Sequence, residues 1–154
     1  MSELDFIIDQ LKRSFDGEAW HGPALTEVLD RVDAQAAAAR PIPACHSIWE
    51  LVLHIAAWER IIARRITKRE AVMPTDEENF PHVSQRTDSA WRETISSLRS
   101  AHAELLAAVS SLKESDLNDR VPGKDYDIRF MVTGAAQHAA YHGGQIAILK
   151  RARA

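Results

Sequence analysis

An all-α fold, a four-helix bundle with long connections at about 71–89 and 113–127, is what this sequence predicts. Three observations carry the prediction. The chain has 24 alanines against six glycines, apolar residues recur at helical spacing in four long segments, and no stretch alternates with period two. The first segment, about Ser2 to Phe15, puts Leu4, Ile8, Leu11 and Phe15 on one side before Gly17 breaks it. Pro23 suits the first turn of a further helix with Leu25, Val28, Leu29 and Val32 as its apolar side. Pro41 and Pro43 end whatever helix the alanine run at 36–39 supports. The second major helix starts at Ser47, where Ser47-Ile48-Trp49-Glu50 has the capping-box pattern. Its stripe is Ile48, Leu51, Ile55, Trp58 and Ile62. Residues 71–89 carry two prolines and an acidic cluster but no usable period, the mark of a long loop. The third helix, about Asp88 to Leu112, aligns Trp91, Ile95, Leu98, His102, Leu105, Val109 and Leu112. After a polar connection, Asp127 can cap a last helix that continues to about Arg151.

Length and charge narrow the function. A chain of 154 residues reads as one domain, 1–154. With 19 Lys+Arg against 22 Asp+Glu the net charge is −3, which leaves no basic excess for a nucleic-acid partner. No apolar run is long enough to span a bilayer, and the acidic N-terminal stretch does not read as a signal peptide. Cys45 has no second cysteine to pair with, as expected in the cytoplasm. Apolar residues off the stripes, such as Val52, Ile61 and Ile146, suggest a patch for self-association and hence a homodimer.

The chemistry-bearing signal is histidine on seams that should be apolar. The last helix reads Met131, Ala135, His138, His142, Gln145, Leu149 at spacings of four and three. His138 and His142, four apart, bring their Cβ atoms to roughly 5–6 Å on one face, and two imidazoles so placed can converge on one ion. His54, between Leu51 and Trp58, also points inward. An i, i+4 histidine pair alone says little. A third histidine on another helix's inner face, with Gly134, Ala135 and Ala139 leaving room beside the pair, says more, because one divalent ion would satisfy all three rings.

The stretches 46–59 (HSIWELVLHIAAWE) and 137–146 (QHAAYHGGQI) resemble the DinB/YfiT-like family, and Trp20-His21-Gly22-Pro23 and Arg40-Pro41-Ile42-Pro43 extend the similarity over essentially the whole chain. The resemblance implies a four-helix bundle holding a divalent metal, nickel or zinc, on three histidines, here His54, His138 and His142. It also implies chemistry of the kind found in relatives, metal-dependent transferases and isomerases that use low-molecular-weight thiols. Dimers are frequent among such proteins.

Three residues are candidates for supporting the ligands. Gln145 lies one turn past His142. Glu50 lies one turn before His54, although its capping role already accounts for it. His21 sits ahead of Pro23, where it can reach the mouth of a site or simply stand at the surface. His102 is geometrically a possible fourth ligand, but the family pattern does not use it, and it reads as a core histidine. Tyr141 reads as a packing residue, Trp49, Trp58 and Trp91 as core or interface residues, and Cys45 carries no further mark of a nucleophile. Zincin, phosphate-loop, nucleophile-elbow and di-iron patterns are absent. The expected function is that of a metalloenzyme activating a thiol or water on a small-molecule substrate, first of all a thiol-dependent transferase. The alternatives are a metal-dependent hydrolase and a non-enzymatic, stress-associated metal-binding bundle.

Overall fold

A computed structural model describes residues 1–152. The described residues form α1 (Glu3–Asp16), α2 (Leu25–Val28), α3 (Ala34–Ala38), α4 (Ile48–Lys68), α5 (Asp76–Asn79), α6 (Asp88–Ser110) and α7 (Ile128–Ala152), with a 3₁₀ turn at Glu114–Asn118. No strand occurs among them, only isolated bridges at Ala19–Gly22 and Arg120–Asp127. The fold is all-α, as the sequence predicts. None of these helices is long and apolar enough to cross a membrane.

Local chemistry sets the helix ends. The Ser47 hydroxyl accepts from Glu50 N while the Glu50 carboxylate accepts from Ser47 N at 2.7 Å, so α4 begins on the expected capping box. Thr87 caps α6, and Asp127 Oδ1 accepts from Phe130 N at 2.8 Å to start α7. Arg69, left-handed at φ 52°, ends α4. The two long connections are not featureless. The first carries α5 and the second the 3₁₀ turn, whose Leu117 is fully buried.

The four long helices pack in a ring, compatible with a four-helix bundle: α1 touches α6 and α7, and α4 touches the same two from the other side. The expectation of one apolar stripe per helix is too narrow. Also packed by α3 and α5, α4 buries residues on most of its circumference, Val52 and Ile61 included. Ile146 is likewise fully buried. The three residues that suggested an exposed patch therefore lie inside the protomer, and the large apolar side chains left outside on α7 are Phe130, Tyr141 and Ile148.

The core has two halves. One gathers Trp49, Leu51, Ile55, Trp91, Leu98 and Ile146 with α2 and α3. The other gathers Leu11, Ile62, Leu105, Leu117, Ile128 and Val132. Between these levels α4, α6 and α7 present His54, Glu59, His102, His138 and His142, so a polar layer crosses the middle of the bundle.

Candidate metal centre

The three predicted ligands come together. His138 Nε2 lies 3.1 Å from His54 Nε2 and 3.1 Å from His142 Nε2, and one ligand atom from each residue falls within 4.8 Å of the others. His54 and His142 are buried, and His138 stands half-buried on the solvent side. α7 turns its most buried line through Ala135, Ala139, His142 and Ile146, which puts His138 and Gln145 at the edge facing outward rather than on the seam itself.

The two buried rings are fixed from behind. His54 Nδ1 donates to the Asn79 carbonyl oxygen at 2.6 Å, and His142 Nδ1 donates to Gln145 Oε1 at 2.5 Å. Each donation places the ring proton on Nδ1 and leaves the Nε2 lone pair bare, aimed at the same point as its neighbour's. Ligand nitrogens around an ion at ~2.0–2.1 Å stand roughly 3.0–3.4 Å apart in octahedral or tetrahedral geometry. Two of the three separations, those from His138 to His54 and to His142, fit that range at 3.1 Å, and the third lies within 4.8 Å. Converging lone pairs repel one another unless a cation or proton sits between them, so the donor set suits a divalent ion.

Asn79 ties the site to the first long connection. Its carbonyl holds His54, and its Oδ1 accepts from Trp58 Nε1 at 2.8 Å. Phe80 stacks on His54 at 4.1 Å between ring centroids, and His46 stacks on the other face of Phe80 at 3.9 Å. Trp58 packs edge-on against His54 and His138. Sequence reading did not find Asn79, Phe80 or His46, because nothing local marks which residue of a loop returns to a helix. Trp58 had a signal, its position one turn after His54 on the same face.

Burial holds the imidazoles neutral. His138 is pushed down to about 3, chiefly by desolvation and then by the nearby His142 and His54 rings. His54 and His142 are also lowered, mainly by burial, although their bonds to Asn79 and Gln145 oppose the shift. Neutral rings are the form that ligates.

The supporting candidates divide. Gln145 touches His142 as described. Glu50 instead closes the capping box and pairs with Arg40, and His21 is exposed in the turn after α1, lining a shallow cavity with Gln10, Arg13 and Gln137. Neither contacts the cluster. His102 is a core residue: buried, it stacks on Phe15 at 3.8 Å and bonds Glu59 Oε1 at 3.0 Å. Tyr141 is exposed rather than packed, with its ring 5.0 Å from that of His142. Cys45 is exposed and borders a largely apolar cavity of about 300 Å³ that also reaches Gln145 and His46. A further cavity, of about 190 Å³, is lined in part by His138.

Replacing Gln145 by Leu is expected to leave the fold intact and to weaken metal binding by about 10–100-fold, because His142 loses the acceptor that fixes its tautomer and orientation. Competition with a chromogenic chelator measures this. An unchanged affinity would mean that the Gln145 bond does not orient the ring.

Among known proteins, the family model described as the DinB superfamily matches residues 19–146, a span that includes all three histidines, Asn79 and Gln145. No curated protein and no solved structure matches the chain.

Proposed function

The chain belongs to the DinB superfamily, and from that premise we propose that it is a metal-dependent enzyme, first of all a thiol-dependent transferase, whose ion is held by His54, His138 and His142. One observation carries the reading: three Nε2 atoms converge while the two buried rings are locked from behind by Asn79 and Gln145. Three neutral imidazoles would hold a nickel or zinc ion without cancelling its charge, and the ion would then supply an activated thiol or water. The rings themselves do the positioning, and burial keeps protons off them.

Thiol transfer is favoured over hydrolysis by what surrounds the cluster. No carboxylate joins the three histidines or bonds their rings among the described residues. Hydrolysis needs a group to move protons between water and the leaving group. A thiol, once deprotonated, needs no further base to attack an electrophile. The test is metal analysis of untagged protein followed by conjugation assays on small electrophiles. Metal near one equivalent with turnover that requires a thiol supports the proposal. Turnover without a thiol assigns hydrolysis, and bound metal without turnover on either route leaves a non-enzymatic metal-binding bundle.

We propose a homodimer as well, now through the outer face of α7, where Tyr141 and Ile148 lie two turns apart and exposed with Gly144 between them. Light scattering is expected to return twice 17.2 kDa. A mass near the single-chain value at micromolar concentration refutes it.

The lowered histidines give stability a pH dependence with a defined sign. Above the usual value of 6.5 the rings are neutral in both folded and unfolded chains. As pH falls below it, the unfolded chain takes up protons that the buried rings refuse, so stability is lost towards pH 5. For half-buried His138, with solvent screening allowed for, the loss at pH 5 is about 1 kcal/mol, or roughly 2–4 °C in Tm. A His138→Gln variant is expected to show a flatter metal-free Tm profile between pH 7 and 5. Identical profiles would mean that the ring is not held neutral by the fold.

A further inference from the structure

Arg65 of α4 is buried, 3% exposed, and yet it forms no ion pair among the described residues. Its Nε and Nη2 donate to the Val72 carbonyl at 3.2 and 2.8 Å, and Nη1 donates to the Tyr126 hydroxyl at 3.2 Å. Its Cζ sits 5.6 Å from the centre of the Trp58 ring. A guanidinium stays charged at any physiological pH and carries five N–H donors. A carbonyl, a phenol and an indole face satisfy part of that charge, but none of them neutralises it. A cation taken out of water in this way is costly unless an anion meets it.

The space beside it is built to receive one. A cavity of about 190 Å³ is lined by Arg65, Trp58, Tyr126, Phe130, Gly134 and His138, among others. Its walls are aromatic and apolar, with a charged donor on one wall and a candidate metal ligand on another. Trp58 links the two, since its ring is also 6.2 Å from that of His138. We propose that this cavity binds an apolar organic acid. Arg65 takes the carboxylate on its free N–H groups, and the body of the molecule lies along Trp58, Tyr126 and Phe130 towards the histidine cluster. One guanidinium balances a monoanion, whereas a phosphate dianion would keep a charge unmatched. A planar carboxylate also fits the guanidinium fork. That the acid is the substrate rests on the enzymatic reading above; that the cavity takes it does not.

Benzoate and benzamide, alike in size and differing in charge, separate these points by calorimetric titration of the full chain, metal-free and zinc-loaded. Benzoate is expected to bind at least about tenfold more tightly than benzamide in both states, and Arg65→Met is expected to reduce the difference to about twofold or less. Arg65 also braces Val72 and Tyr126, so its removal can unfold the chain. Gly134→Leu covers that case: a Cβ there meets nothing within 4 Å, and helix propensity improves. This variant is expected to fold and to weaken benzoate about tenfold or more with Arg65 in place. Equal affinity of the parent for benzoate and benzamide overturns the proposal. So does benzoate binding that needs zinc and ignores Gly134→Leu, because the anion would then be sitting on the metal. Arg65-dependent benzoate binding in protein without thiol-dependent turnover retains the cavity and discards the transferase. Thiol-dependent turnover with no preference for the acid does the reverse.

Discussion

Replacing His138 by alanine is expected to strip the protein of its metal, while the same change at His102 leaves the metal in place. On the proposed reading three ligands share the binding free energy, and apparent values of about 10–16 kcal/mol for four-ligand structural zinc sites put each ligand at roughly 2.5–4 kcal/mol. That is about 10²–10³ in affinity for one lost imidazole, enough to drop the content of protein purified at micromolar concentration from near one equivalent to near zero. His138 is the informative position because it is half-buried, so its removal opens little cavity and the fold is retained. It also stands 3.1 Å from both other Nε2 atoms, and without it His54 and His142 are two ligands with no bridge. His102 bonds Glu59 and stacks on Phe15, away from the three rings. Metal analysis and circular dichroism on both variants decide the matter. Equal metal loss from both would show that the ligand set has been drawn wrongly.

The same substitution at His102 is expected to have the larger effect on stability. Glu59 is buried, and among the described residues its Oε2 has no hydrogen-bond partner and its Oε1 bonds only the His102 ring. Burial pushes its carboxyl up from the usual 4.5, and the contact with His102 opposes that shift. Removing His102 leaves the carboxyl wholly unpaired and opens a void beside Phe15. Together these cost about 3–5 kcal/mol, or roughly 6–20 °C in Tm for a chain of this size. A loss below about 2 °C would mean that the pair does not organise the core. Glu59→Gln gives a separate readout with a definite sign. A carboxyl whose folded value is raised contributes least at high pH, because the unfolded chain releases its proton first and stability falls as pH rises through the window above 4.5. Glutamine has no proton to lose, so the Tm of Glu59→Gln relative to the parent is expected to climb as pH rises from 5 towards neutrality. A constant difference would show that Glu59 ionises as freely in the core as in water.

The polar layer explains why these two predictions concern neighbours with different roles. His54 and Glu59 are five residues apart on α4, which turns them towards different partners, α7 for one and α6 for the other. Three rings converge on a point at the bundle's flank, and the Glu59–His102 pair is sealed among α1, α4 and α6. The sequence places His54, His102, His138 and His142 on inner faces alike. It does not separate a ligand from a core residue without knowing which helix faces which.

What the sequence determines is what local geometry encodes. The i, i+4 relation of His138 and His142, the Ser47–Glu50 box, the Asp127 cap and the helical spans follow from a 3.6-residue period and from backbone donors that need partners close in the chain. These interactions form within one turn, so the residues that make them are readable in order. Only the tertiary structure decides the rest. The ring order α1, α7, α4, α6 buries Val52, Ile61 and Ile146, which helical periodicity alone leaves at the flanks. Asn79 reaches back across 25 positions to fix His54, and Tyr126 crosses 61 to meet Arg65. Their partners are chosen by how helices pack and where loops return, and no periodicity in the chain records that distance.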